Sequence, residues 1–187
     1  PRTVDSIQRA MEQGMHIVIA SGRDKNGCKF VYEPLGLENG NHFLALVNGQ
    51  VVYDFENKEY DLDDVLTAED GVKIQKVCKQ FGVEGIFQCG YDFYSYISSL
   101  NRVKKKVINA ILGEPDDYGL KDGKENRNFI DLPFEEIRLT QDINKVIMVH
   151  TPKFFEKNFD GIKVALSDYD VLLVGPDWLE IMPKHVS

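Results

Sequence analysis

IVIASGRDKNG, residues 17–27, joins a short apolar run to a small polar segment. The apolar run begins at residue 15 and has the length of a strand, and its lack of alternation is typical of strands that are covered on both faces. A second run of the same kind, HFLALV, occupies 42–47. Helices are predicted over 3–14 and 26–36, each ending at a glycine. This alternation of helix and strand predicts an α/β fold built on a parallel sheet.

A polar and acidic connection at 56–67 separates this region from the rest of the chain. We therefore predict a partial core domain over 1–60, a second domain over 61–180 and a return segment over 181–187. In the second domain the strands pair in hairpins, which predicts an open α+β sandwich with its helices on one face. The predicted helices there are 67–81, 100–112 and 153–166, and the predicted strands are 85–89, 92–97, 144–151, 170–174 and 178–182.

Charge and composition narrow the classes of partner. The 187 residues carry a net charge of −8, which leaves no excess of cations for a general nucleic-acid binder. This net charge does not exclude a local basic pocket for one small anion. No apolar run approaches the roughly 20 residues that span a bilayer, so no membrane partner is expected. Cys28, Cys78 and Cys89 lack C-x-x-C spacing, which favours buried thiols and a cytoplasmic location.

Two polar segments follow the predicted parallel strands. Ser21, Gly22 and Arg23 come directly after the first strand, and Asn48 and Gly49 follow the second. Because open α/β sheets bind ligands at the carboxyl ends of their strands, a hydroxyl and a glycine amide there could donate to a phosphate. The alternatives are an ordinary turn at Ser21 and a two-residue hairpin turn at Asn48-Gly49. Polar segments at the same end of adjacent strands favour the binding site.

Other candidate groups are weaker. Acidic runs at 61–64 and 168–170 lie in polar connections, so neither is expected to form a catalytic carboxylate pair, and the four histidines lack metal-ligand spacing. The basic run 102–106 is interpreted as a solvated helix face or, alternatively, as one wall of a pocket for an anionic substrate. Tyr91 and Asp92 lie at a turn between two strands, where both are expected to be free to meet a ligand.

The order of several segments resembles one protein family. TVDSIQRAMEQG, IVIASGR, LGLE, ALVNGQVVYD, NKVIMVH and WLEIMPKHVS occur in the order and spacing of the Cof-type haloacid-dehalogenase-like phosphatases, which carry a class IIB cap. The resemblance implies a doubly wound, Rossmann-like core with an inserted cap domain. It also implies Mg2+-dependent hydrolysis of a small phosphorylated metabolite, such as a sugar phosphate, through an aspartyl-phosphate intermediate.

The same resemblance implies roles for individual residues. Ser21 would give its hydroxyl and Gly22 its backbone amide to the phosphate. Arg23 would follow them, and Asn48 with Gly49 would face the site from the next loop. Substrate specificity would come from the cap, for which Tyr91, Asp92 and the loop 114–128 are the candidates.

The sequence also departs from the family pattern. The family's first aspartate motif would precede Pro1, and its later lysine and acidic motifs would follow Ser187. We therefore expect the middle of a phosphatase, with no catalytic residue and no metal ligand in this chain, and no activity from the chain alone. An exposed edge of the partial core could support a homo-oligomer. The alternative functions are a non-catalytic module that binds a phosphorylated ligand, or an assembly domain that uses the exposed sheet edge.

Overall fold

A computed structural model describes residues 2–62, 64–113, 115, 117–118, 120, 128–132 and 141–184. The described residues up to Asp64 form one compact unit, and those from Val65 onward form a second. Each unit contains its own sheet and its own helices. The predicted α/β fold class is confirmed, with two sheets and five α-helices among the described residues. Among the described residues, no helix is both long enough and apolar enough to cross a membrane.

The first unit is a four-stranded sheet in the order β1-β2-β3-β4. β1 pairs with β2 in parallel, and β2, β3 and β4 continue as an antiparallel meander. Leu44 and Leu46 of β2 are fully buried, together with Leu37 from the segment before it. The elements are α1 (Arg2–Glu12), β1 (Val18–Ala20), α2 (Lys29–Leu35), β2 (Phe43–Leu46), β3 (Val51–Asp54) and β4 (Glu59–Leu62).

Two predictions for this unit are corrected. The acidic connection at 56–67 contains β4, which pairs with β3. All four β4 side chains are exposed, so the strand lacks the alternation that a half-buried strand shows. Asn48-Gly49 does lie in a hairpin, between β2 and β3, but the loop comprises residues 47–50 rather than the two residues expected, because Leu46 pairs with Val51.

The second unit is a six-stranded sheet in the order β7-β6-β5-β8-β10-β9. Helices α3 and α5 share one apolar core with the sheet, to which they contribute Ile74, Cys78, Phe155 and Ile162. The elements are α3 (Ala68–Phe81), β5 (Glu84–Cys89), β6 (Asp92–Tyr96), α4 (Ser99–Leu112), β7 (Phe129–Leu132), β8 (Lys145–Val149), α5 (Pro152–Ala165), β9 (Asp170–Gly175) and β10 (Trp178–Met182). β7 pairs with β6 in parallel and falls where the sequence predicts no strand.

The start of α3 shows how local sequence fixes an element. Thr67 and Asp70 form a capping box at the start of the predicted helix, in which each backbone N–H donates to the other residue's side chain, at 2.9 and 3.2 Å. The Tyr169 hydroxyl also donates to Asp70, at 2.7 Å. The helix ends at Gly82, whose φ of 69° is readily adopted by glycine.

Candidate functional site

The carboxyl ends of β1 and β2 carry two loops that are joined by backbone hydrogen bonds. Ser21 N–H donates to the Ala45 carbonyl at 2.8 Å, and Asn48 N–H donates to the Ser21 carbonyl at 3.3 Å. A third bond runs from Val47 N–H to the Arg23 carbonyl, at 3.0 Å. Because β1 and β2 are parallel, both loops leave the same edge of the sheet. The structure therefore brings together the two polar segments that the sequence places after neighbouring strands.

Gly22 and Asn48 approach each other closely at this edge. A Cβ atom added to Gly22 would overlap the side-chain oxygen of Asn48. Gly22 has no left-handed backbone angle, so glycine is favoured at position 22 by this contact alone, and a larger residue would have to displace the end of the Asn48 side chain.

The second loop holds an uncommon backbone conformation. Val47, Asn48 and Gly49 have φ values of 50°, 58° and 97°. Asparagine and glycine tolerate this left-handed region, whereas it is disfavoured for a β-branched valine. Val47 is buried among the apolar residues of the first unit, which holds it in place. Such conformations cluster at functional sites, and this one directs Asn48 towards Gly22.

The first loop also carries a hydroxyl and two cations. Ser21 Oγ accepts a hydrogen bond from Arg23 N–H at 3.1 Å, which orients the hydroxyl oxygen within the loop. The Arg23 guanidinium lies 5.6 Å from the centre of the Phe30 ring. Lys25 Nζ lies 3.5 Å from the centre of the Tyr53 ring. The sequence analysis missed Lys25, because its contact is with an aromatic residue of β3 that no local motif reveals.

Asp24 lies between these cations and has a structural partner. Its Oδ1 accepts the backbone N–H of Gly27 at 2.7 Å, at the turn that precedes α2. The carboxylate therefore helps to order the chain after the loop.

The cap candidates lie in the second unit and differ from each other. Tyr91 is 43% exposed at the tip of the β5–β6 hairpin. Asp92 accepts a hydrogen bond from Asn128 Nδ2 at 2.8 Å and is half-buried, so it is not free in the way the sequence analysis expects. The hairpin tip is held by Asn144, whose Oδ1 accepts the Gly90 N–H at 2.8 Å. Most of the loop 114–128 lies outside the described residues.

Two residues of the basic run on α4 form ion pairs with acidic residues of the sheet. Lys105 Nζ lies 2.9 Å from Glu84 Oε1, and Arg102 lies 4.0 Å from Asp131. Glu84 also accepts hydrogen bonds from Ser95 and from Tyr118, each at 2.6 Å. At Arg102 and Lys105, therefore, the helix face is not fully solvated. These two cations face acidic residues of the sheet, so they do not form an open pocket wall for an anionic substrate.

Among the described residues, no group of three or more histidine, cysteine, aspartate or glutamate side chains could hold a metal ion. The Mg2+ that the resemblance implies therefore has no ligand set among these residues.

Comparison with known proteins settles the family. Residues 1–187 match the haloacid dehalogenase-like hydrolase family along their whole length. The chain belongs to this family. The resemblance identified from the order of the sequence segments is thereby confirmed.

Individual relatives of this chain are distant and longer. A Streptococcus pyogenes protein with the provisional name of a phosphatase is 26% identical over 191 residues, which cover 97% of this chain and 62% of the relative. A haloacid dehalogenase-like hydrolase from Bacteroides thetaiotaomicron matches the fold with a TM-score of 0.70 at 18% identity, over 100% of this chain and 65% of its own. A subclass IIB sugar phosphatase matches with a TM-score of 0.65 at 16% identity, over 100% and 64%. The chain thus spans less than two thirds of each of these proteins.

Proposed function

We propose that the whole protein is a Mg2+-dependent phosphatase that hydrolyses a small phosphorylated metabolite of the sugar-phosphate class. The observation that carries the proposal is the convergence of Ser21, Gly22 and Asn48 at the carboxyl edge of β1 and β2. The family, the phosphatase name of the streptococcal relative and the sugar-phosphatase neighbour support the same reaction class. Three free, buried cysteines support a cytoplasmic location.

The residues of this chain are proposed to bind the phosphate rather than to attack it. The Ser21 hydroxyl and the Gly22 N–H donate to phosphate oxygens, and hydrogen bonds to a charged acceptor are stronger than neutral ones. Arg23 and Lys25 add positive charge to the same loop. Asn48 orients the ligand from the second loop. The attacking aspartate and the Mg2+ ligands that the resemblance implies have no counterpart assigned within residues 1–187.

Hydrolysis is tested on the whole protein. We expect Mg2+-dependent release of inorganic phosphate from at least one member of a panel of sugar phosphates, measured by a colorimetric phosphate assay. Binding without release across the panel would favour the non-catalytic module instead. Release of the same phosphate by the 187-residue chain alone would contradict the binding role that is proposed for its residues.

Phosphate binding is tested on this chain with a single substitution. Ser21→Ala removes one hydrogen-bond donor to a charged ligand. Such a hydrogen bond contributes about 1.5–3 kcal/mol, so binding of inorganic phosphate should weaken about 10- to 150-fold. Isothermal titration calorimetry measures the change. Ser167→Ala, at an exposed position of the second unit, is the matched control and is expected to leave the affinity unchanged. Equal affinities for both variants would remove Ser21 from the site.

A further inference from the structure

The loop between β2 and β3 begins with a residue that its backbone conformation does not favour. Val47 is left-handed, with a φ of 50°, as are Asn48 and Gly49 after it. Asparagine and glycine tolerate this region, whereas a β-branched side chain crowds the backbone there. Such a conformation persists only where the surrounding contacts hold it in place. The contacts of Val47 therefore show what the conformation of the loop depends on.

Val47 is held by its side chain and by both of its backbone polar groups. Its side chain is 4% exposed and packs in the apolar cluster of the first unit. Its N–H donates to the Arg23 carbonyl of the first loop at 3.0 Å, and its carbonyl accepts the Gln50 N–H at 3.3 Å. Asn48 is only half-buried, and Gly49 is exposed. Of the three left-handed residues, Val47 is thus the one that ties the loop to the core.

The position of Asn48 depends on the backbone angles of Val47. Asn48 has a φ of 58° and a ψ of 31°, and its N–H donates to the Ser21 carbonyl at 3.3 Å. The peptide unit that carries this N–H joins Val47 to Asn48. If Val47 adopted an ordinary strand conformation, this peptide unit would turn and the N–H would lose its acceptor on the first loop. The side chain of Asn48 would then leave its contact with Gly22.

We propose that Val47 is a positioning residue of the phosphate site. Its buried side chain holds the loop in the left-handed conformation, which places the side chain of Asn48 beside Gly22. Because Val47 is buried, it acts through Asn48 rather than on the phosphate itself. The effect on phosphate binding rests on the proposed function, whereas the link between the Val47 side chain and the loop conformation rests on contacts within the chain.

A double-mutant cycle with inorganic phosphate tests this role on the 187-residue chain. Val47→Gly removes the side chain that anchors the loop, so the affinity measured by isothermal titration calorimetry should fall about tenfold or more. Asn48→Ala removes the group that Val47 positions. The double variant should therefore bind as weakly as Asn48→Ala alone, because effects that pass through one group do not add. Val47→Ile keeps a β-branched apolar side chain and should bind phosphate nearly as well as the wild type.

Val51→Ala is the matched control. Val51 belongs to the same apolar cluster and is 7% exposed, but it lies on β3, where it pairs with Leu46. Truncation there should loosen the core without moving the loop. Phosphate affinity should therefore stay at the wild-type value.

A second measurement follows the loop conformation without phosphate. Glycine ordinarily destabilises a strand position more than alanine does, but it fits a left-handed backbone that alanine does not. Val47→Gly should therefore be at least as well protected from hydrogen exchange over residues 17–55 as Val47→Ala. At position 51 the order should reverse, with Val51→Gly less protected than Val51→Ala.

Circular dichroism checks that each variant is folded, and Val47→Ala takes the place of Val47→Gly in the cycle if the glycine variant is not. The proposal is overturned by a folded Val47→Gly chain that binds phosphate like the wild type, or by effects of Val47→Gly and Asn48→Ala that add. It is also overturned by an equal loss of affinity in Val51→Ala, or by a Val47→Ala chain that is better protected than Val47→Gly. A wild-type chain that binds no phosphate would instead contradict the proposed function, and hydrogen exchange would then decide the role of Val47 in the loop.

Discussion

The two units differ in where they keep their polar groups. Among the described residues, the first unit buries His42 and Gln50, whereas the second buries the charged side chains Glu84, Lys145 and Glu180. The charged groups of the second unit lie on strands and pair with one another or with a helix. The polar groups of the first unit that are proposed to bind phosphate lie in loops after strands.

The buried charged groups of the second unit stabilise the fold, whereas the polar groups in the first-unit loops are proposed to bind a ligand. Lys145 lies 2.7 Å from Glu180, and Trp178 Nε1 donates to the same carboxylate at 3.4 Å. Breaking such a buried pair leaves an uncompensated charge, so its groups are committed to the fold. Ser21 and Gly22, by contrast, are at least partly exposed and lie where a ligand can reach them. Substitutions in the second unit should therefore change stability, and those in the first-unit loops should change binding.

The largest expected effect is on the stability of the second unit. Glu84→Gln removes the charge that Lys105 faces, so the free energy of unfolding should fall by about 3–5 kcal/mol. Urea denaturation followed by the fluorescence of Trp178, the one tryptophan in the sequence, measures this unit. Glu69→Gln is the matched control, because Glu69 is 81% exposed beside Lys73, and an exposed helical pair contributes only about 0.3–0.5 kcal/mol. Equal losses for both variants would remove the distinction between buried and exposed charges.

A smaller effect on stability, but a large one on binding, is expected from Gly22→Ala. The new methyl group at this exposed position overlaps the end of the Asn48 side chain, which must shift, so stability should fall by about 0.5–1 kcal/mol. Phosphate affinity should fall at least as far as in Ser21→Ala. Hydrogen exchange of peptides covering residues 17–50 follows the stability of the loops, and calorimetry follows binding.

Asn48→Ala supplies the control for this substitution. It removes the obstructing side chain, so the double variant Gly22→Ala with Asn48→Ala should regain the protection from exchange while phosphate binding stays weak. A double variant that remains as unprotected as Gly22→Ala would show that the overlap is not the cause of the loss.

The smallest expected effect is a pH dependence in the first unit. Burial, followed by the neighbouring His16, holds the pKa of His42 below its usual value, and its Nδ1 accepts the Ile17 N–H at 3.2 Å. The unfolded chain therefore takes up a proton below about pH 6.5 while the folded chain does not, so stability falls as pH falls through that range. Hydrogen exchange of residues 17–55 between pH 7.5 and 5.5, corrected for the intrinsic exchange rate, measures this.

His42→Gln should flatten that dependence. His150 has a pKa that is also lowered by burial, but it lies in the second unit, so His150→Gln should leave the exchange of residues 17–55 unchanged. A pH dependence that persists in His42→Gln would assign it to another group of the first unit.

The sequence predicts those features that follow from local patterns. Helix ends at Gly36 and Gly82, the capping box at Thr67 and the central strands β2, β5 and β8 carry their signals in a few neighbouring residues. The meeting of the loops after β1 and β2 follows from parallel pairing. The strands β4 and β7 are not predicted, because neither has the alternation of buried and exposed residues that marks a strand in the sequence.

The site was predicted only in part, for physical reasons. Lys25 contacts Tyr53, which lies on another strand, and the close approach of Gly22 to Asn48 depends on three left-handed residues in the second loop. The orientation of α4 could not be predicted either. Its apolar residues are spaced as in a core-facing helix, yet the buried carboxylate of Glu84 attracts its opposite side.

The strand order has a consequence for how the chain folds during synthesis. In the first sheet each of the four described strands pairs with the next one along the chain, so these strands can pair once Leu62 has been made. β5 must instead wait for β8, since Glu84 pairs with Val149. Contacts between residues so far apart form slowly. One edge of β5 therefore stays unpaired while the ribosome synthesises the chain as far as β8. Because β5 is buried along its whole length in the folded unit, its exposed edge and apolar side chains make the incomplete chain prone to aggregate during this interval.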